Sequence, residues 1–217
     1  ALEFNATLAH VVGNIDALDR IGPNNVKDMN QFYASNYFYL TTDRYAPHNV
    51  YTTGDKLRAF MDDKKYNKPA SFIASPRQKD TPAATPTNPL ITVNYSTLGY
   101  QAKYSYTAAS NNYARSLAGA PHIDRNNNQQ IMVKNVVVQY MPTTYGKTRI
   151  GELSTRMATP GSGKAIVFRD GTAIEATWTK TSHSSRTKLL DAAGKEIPLN
   201  AGNTWYNIVP VGNSITY

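Results

Sequence analysis

Four histidines, no cysteine and few carboxylates limit the chemistry open to this chain of 217 residues. His48 stands in Arg44-Tyr-Ala-Pro-His-Asn-Val-Tyr51, an irregular polar turn in which a proline restricts the backbone and Asn49 follows the imidazole. Loops of this kind carry ligands when a scaffold holds them. His122 stands in Ala120-Pro-His-Ile-Asp-Arg125, where the i, i+2 spacing puts His122 and Asp124 on one side of an extended chain. A carboxylate so placed could orient an imidazole for acid/base work or join it on a metal. A loop braced by a hydrogen-bonded His–Asp pair is the structural alternative. Arg44 or Arg115 beside such a histidine suits an anionic group such as a phosphodiester, the guanidinium stabilising developing charge. The two Pro-His elements lie in different halves of the chain, and if those halves face each other the imidazoles of His48 and His122 share a cleft.

The other candidates are weaker. His10 lies in an apolar run and reads as a core or strand-end histidine, and His183, among serines, reads as a solvated loop residue. The stretch 158–164, Ala-Thr-Pro-Gly-Ser-Gly-Lys, has the spacing of a phosphate-binding loop up to its lysine, but Ala165 supplies no hydroxyl for a metal. Residues 165–168 also read as a strand, where a phosphate loop must enter a helix. A glycine-rich turn leading into a strand is the better reading. There is no His-Glu-x-x-His helix and no Gly-x-Ser-x-Gly elbow. Without cysteine there is no disulfide, thiolate metal site or cysteine nucleophile. The residues point to no particular cofactor and to no metal site.

The elements that must position these groups differ between the halves. Residues 1–89 carry 10 basic and 9 acidic side chains, whereas 90–217 carry 13 and 6, so the positive excess sits in the second part. In the first, 7–12 reads as a short buried strand and 15–21 as a short helix. Thr53 caps a stronger helix in which Leu57, Phe60 and Met61 share one face, and Lys64 and Lys65 sit near its C-terminal end. The segment 76–89, with four prolines, reads as an exposed, extended connector. Beyond it, alternating β-branched and aromatic residues predict strands over 90–95, 100–106, 131–140, 164–168, 172–180 and 205–209. Asp170-Gly171 predicts a hairpin turn and Ala193-Gly194 a second turn. The expected fold is α+β: an incomplete α/β domain over 1–75, the linker 76–89, and a mainly antiparallel β domain over 90–217. No apolar run reaches the length of a membrane-spanning helix. Ala1, with no leader before it, reads as the start of a mature or trimmed product.

Arg44-Tyr-Ala-Pro-His-Asn-Val-Tyr51, Tyr113-Ala-Arg115, Pro121-His-Ile-Asp124, Lys134-Asn-Val-Val-Val138 and Gly161-Ser-Gly-Lys-Ala-Ile-Val-Phe-Arg-Asp-Gly171 follow in an order that resembles the YerB-like family of bacterial lipoproteins. The tail, with Ile174-Glu-Ala-Thr-Trp178, Asp191-Ala-Ala-Gly-Lys-Glu-Ile197 and Gly202-Asn-Thr-Trp-Tyr-Asn-Ile-Val-Pro210, is similar to the C-terminal domain of the same family. The resemblance runs over nearly the whole chain. It implies an extracytoplasmic protein of the cell envelope, membrane-anchored through an upstream segment absent from this chain, and no biochemical activity is established for the family. That N-terminal segment is expected to complete the first domain and could associate as a separate chain. The matching motifs add Tyr113 to Arg44, Asn49 and Arg115 as expected ligand-binding residues, beside His48, His122 and Asp124 as catalytic candidates.

Two readings follow. In the first, the protein is an envelope binding or scaffolding module whose basic second part meets an anionic cell-wall polymer or membrane surface. In the second, it is a hydrolase or transferase acting on an anionic envelope polymer through a His/Asp/Arg cleft. Nucleic acid is disfavoured, because the basic residues are dispersed and the strand tyrosines are explained by packing.

Overall fold

A computed structural model describes residues 1–69 and 72–217. The chain is mostly β, with mainly antiparallel sheets. It divides into two compact units: one gathers Ala1–Ile73, Thr144–Arg156 and His183–Arg186, the other Ala74–Thr143, Met157–Ser182 and Thr187–Tyr217. No helix among the described residues is long and apolar enough to cross a membrane.

In the first unit, β1 (Leu8–His10) pairs in parallel with β2 (Asp28–Asn30). The expected strand over 7–12 is thus shorter and less buried: Leu8 is 37% exposed, because β1 has a single neighbour strand to cover it. His10 ends β1 and its Nε2 lies 2.8 Å from Asp28 Oδ1, the strand-end role expected of it. The helix expected over 15–21 is the single turn α1 (Ile15–Leu18), capped by the Asn14 side chain. A hairpin joins β3 (Tyr39–Leu40) to β4 (Val50–Tyr51). Next comes α2 (Gly54–Asp63), where the Thr53 hydroxyl accepts from the Lys56 amide as its capping position requires. Phe60 is buried with Met29 and Ala34, and Leu57 packs against them.

The second unit is a sandwich of two sheets. One orders β9–β8–β7–β6–β16, antiparallel throughout, from β6 (Leu90–Val93), β7 (Ala102–Thr107), β8 (Asn112–Leu117), β9 (Met132–Val133) and β16 (Ile215–Thr216). The other orders β13–β12–β11–β10–β15, from β10 (Asn135–Met141), β11 (Gly161–Arg169), β12 (Thr172–Lys180), β13 (Lys188–Leu190) and β15 (Thr204–Pro210). Its one parallel pair is β10 with β15. Ile91, Tyr104 and Tyr113 of the first sheet interleave with Val136, Val138, Ile166 and Phe168 of the second. Val137, Val167, Trp178 and Leu199 form a further core on the opposite face of the second sheet. Because this sheet is covered on both faces, β10 and β11 carry the continuous apolar runs Val136–Val138 and Ala165–Phe168, whereas β12 alternates from Glu175 onward. Asp170 and Gly171, both with positive φ, make the β11–β12 turn expected from their sequence.

The proline-bearing segment 76–89 is fastened to this second unit. Within it β5 (Arg77–Gln78) pairs in parallel with β14 (Leu199–Asn200). The amides of Ala83, Thr87 and Asn88 donate to the carbonyls of Asp170 and Gly171. Proline cannot donate, so the bonding is interrupted at each proline and looks irregular in sequence.

Candidate functional site

β7, β8 and β15 bring together one cationic side chain and several rings. Tyr104 and Arg115 are cross-strand partners on β7 and β8, so both side chains point between the two sheets. Tyr104 is fully buried and Arg115 is 5% exposed. The guanidinium lies over the Trp205 ring, contributed by the opposite sheet, at 4.1 Å from the ring centroid, close enough for a cation–π contact. It also lies 5.9 Å from the centroid of Tyr104. Tyr104 and Tyr95 each donate a hydroxyl hydrogen bond of 2.7 Å to Asn207 Oδ1, and Asn207 Nδ2 donates to the Val137 carbonyl. Burial pushes the Tyr95 phenol up to about 12. Burial also raises the Tyr104 phenol, against a downward pull from the Arg115 guanidinium.

His122 reaches this arrangement through a tight hairpin. Ala118 and Gly119, both with positive φ, turn the chain so that Leu117 opposes Ala120 and Ser116 opposes Pro121. The next position along sets His122 beside Arg115, its amide donating to the Arg115 carbonyl at 3.0 Å. Arg115 Nη1 donates to His122 Nδ1, and the imidazole meets the edge of Trp205 with ring centroids 6.0 Å apart. Guanidinium has no acceptor, so this bond leaves the proton of a neutral imidazole on Nε2. Burial, reinforced by the Arg115 charge, holds His122 below the ordinary histidine range.

Beside this pair opens a cleft of about 430 Å3 walled by Tyr95, Tyr100, Leu117 and Trp205, with Arg115 in its lining. Arg115 Nε is enclosed without a hydrogen-bond partner. The polar and ring contacts of the guanidinium run to His122, Trp205 and Tyr104, none of them acidic. Among the described residues no three His, Cys, Asp or Glu side chains converge to hold a metal ion.

The seven expected site residues divide by unit. Arg44, His48 and Asn49 occupy the β3–β4 loop of the first unit, where Arg44 Nη1 donates to the Tyr51 hydroxyl and Asn49 Nδ2 to the Thr41 carbonyl. His48 is exposed there, with its amide bonded to the Tyr45 carbonyl. Tyr113, Arg115, His122 and Asp124 belong to the second unit. Arg115 and His122 are brought into contact. Asp124 turns its carboxylate to the Asn126 amide in its own loop, so the partner seen on His122 is Arg115. Tyr113 is fully buried, and its hydroxyl accepts from the Gly171 amide at 3.0 Å, which fastens the β11–β12 turn to β8. Trp205, Tyr95 and Tyr104 were not singled out by sequence. The Ala118-Gly119 turn, lying between Arg115 and His122 seven positions apart, is the one local signal for the pairing.

Two stretches of the chain match the N- and C-terminal domains of one family. Residues 1–67 match "Protein of unknown function (DUF3048) N-terminal domain" and 91–206 match "Protein of unknown function (DUF3048) C-terminal domain". The chain belongs to this family. Among relatives, "Putative lipoprotein YerB" of Bacillus subtilis (strain 168) is 27% identical over 172 residues, which are 76% of this chain and 48% of the relative. The chain thus spans about half the length of that relative. The crystal structure of the YerB protein from Bacillus subtilis superposes with a TM-score of 0.81 at 23% identity, over 98% of this chain and 71% of the other. That likeness establishes a shared fold.

Proposed function

We propose that the protein is an extracytoplasmic component of the cell envelope whose second unit binds an anionic ligand at the Arg115 cleft. The location is supported by the lipoprotein name of the YerB relative. The binding role is supported above all by Arg115, a cation 5% exposed, stacked on Trp205 and without an acidic partner among its contacts. Burying a charge is costly unless it is paired, and a ring face compensates only part of that cost. A carboxylate or phosphate oxygen entering the cleft would supply charge-assisted hydrogen bonds to the guanidinium, and the surrounding rings would pack on the body of the ligand. The excess of basic over acidic residues beyond position 89 favours the approach of a polyanion such as a wall polymer. With Nδ1 accepting from Arg115, His122 has a hydrogen to donate at Nε2 and no free lone pair with which to take a proton. That tautomer suits recognition better than general-base catalysis.

The test is titration of the full chain with inorganic phosphate and with poly(glycerol phosphate), followed by tryptophan emission, since Trp205 touches the guanidinium. Saturable binding that weakens with salt and falls at least tenfold in Arg115→Lys is expected, because lysine keeps the charge but loses the planar fork. Absent binding, or equal binding by Arg115→Lys with an unchanged melting temperature, would overturn the proposal.

A further inference from the structure

The first unit contains a second cavity, of about 370 Å3, within the size range of small-molecule sites. It lies between the β1–β2 pair and α2. Ala9 faces Met29 across the parallel pair, and Ala6 and Ala9, being small, leave the space unfilled. Leu57 and Met61, one helical turn apart on α2, and Tyr66 close the other side. Met29 at its base is fully buried, whereas Phe4 in the wall is 54% exposed. The cavity is therefore apolar within and open at one side.

Three polar features point to a ligand. Lys27 and Lys68 both line the cavity, and none of its lining residues is acidic. Lys27 Nζ donates to the Asn5 carbonyl, which holds the ammonium at the wall. The Thr7 hydroxyl, in the same lining, is enclosed and has no hydrogen-bond partner. An apolar chamber bordered by two lysines, with no acidic residue in its lining, complements an apolar body ending in an anion. We propose that this cavity binds a free single-chain amphiphile with an anionic head, of the fatty-carboxylate class, its chain against Met29 and Met61 and its carboxylate at Lys27 and Lys68. One chain suffices for a chamber of this volume. The site shares no residue with the Arg115 cleft and stands independently of it.

The methionines make the test specific. With methyl-13C methionine in the full chain, decanoate should shift the Met29 and Met61 signals in a saturable way and leave Met141, in the core of the second unit, unmoved. Octanoate should bind roughly tenfold more weakly, two methylenes being lost. Lys27→Gln, at a half-buried position, should weaken decanoate severalfold with the melting temperature retained, and decyltrimethylammonium should fail to compete. Unmoved Met29 and Met61 signals up to the decanoate micelle limit would overturn the proposal, as would equal binding of the cationic amphiphile. Anionic phospholipid vesicles that perturb these two signals where decanoate does not would overturn it in favour of a membrane contact.

Discussion

Gly163 lies close against the indole of Trp178: a Cβ added at 163 would stand 2.7 Å from Nε1 and 3.0 Å from the Tyr140 carbonyl oxygen. That oxygen accepts the hydrogen bond of the same Nε1, also at 2.7 Å. The glycines that lend 158–164 the look of a phosphate loop open a strand, and one of them makes room for a buried ring. Lys164 beside it is drawn to Glu175 at 3.0 Å across the sheet.

Gly163→Ala should therefore destabilise the protein by about 1–3 kcal/mol, the usual cost of overpacking a filled site. Urea unfolding measures it. An unchanged midpoint would show that the indole can move aside.

Asp170 gathers the strap of residues 76–89 onto the β11–β12 turn. Its carboxylate accepts from Asn111 Nδ2 at 2.8 Å, from Asn200 Nδ2 at 2.6 Å and from the Thr81 amide at 3.2 Å. Asp170→Ala should cost about 2–3 kcal/mol, leaving buried donors unpaired. Asp170→Asn should cost nearly as much, because its amide would face donors. Amide exchange at Thr81 and Ala83 should accelerate in both variants.

His122 should titrate below the usual histidine range, read from its imidazole proton signals as pH falls. Its folded value is depressed by burial and by the Arg115 charge, so the unfolded chain takes up a proton first. Stability is thus full above about pH 6.5 and declines as pH falls through the folded value. A midpoint at or above 6.5 would contradict the Arg115–His122 contact. If an anion binds Arg115, it should raise that midpoint, because it offsets the neighbouring charge.

At the alkaline end the sign reverses. Tyr95 is held protonated up to about 12 by burial, and Tyr113 is raised by the same cause. Burial extends their neutral forms to higher pH in the folded state than in the unfolded chain, so stability present below about pH 10 should be lost as pH rises through the folded values. Ultraviolet titration should show tyrosines that ionise only together with unfolding. Asn207→Ala, which removes the acceptor of the Tyr95 and Tyr104 hydroxyls, should lower the onset of that transition.

Much of the second unit was legible along the chain. The runs 90–95, 164–168, 172–180 and 205–209 correspond to β6, β11, β12 and β15, because alternation and β-branching are local properties that a strand uses wherever it ends up. β8 escaped this reading, since Asn112, Arg115 and Ser116 interrupt its pattern. It is central to its sheet all the same. An inward arginine looks like a surface residue until the ring that covers it is known.

The amino-acid sequence by itself determined the elements with short-range causes: the Thr53 cap, the Asp170-Gly171 turn, the strand runs and the basic excess beyond residue 89. Only the tertiary structure decided which chemistry meets. Trp205 comes from the opposite sheet to cover Arg115, Tyr113 leaves the expected ligand set for the core, and the proline segment becomes a strap on Asp170. The reason is physical. Strand and turn formation depend on neighbours a few residues away, whereas the environment of a charge depends on how two sheets register across a core, and no local spacing encodes that registration.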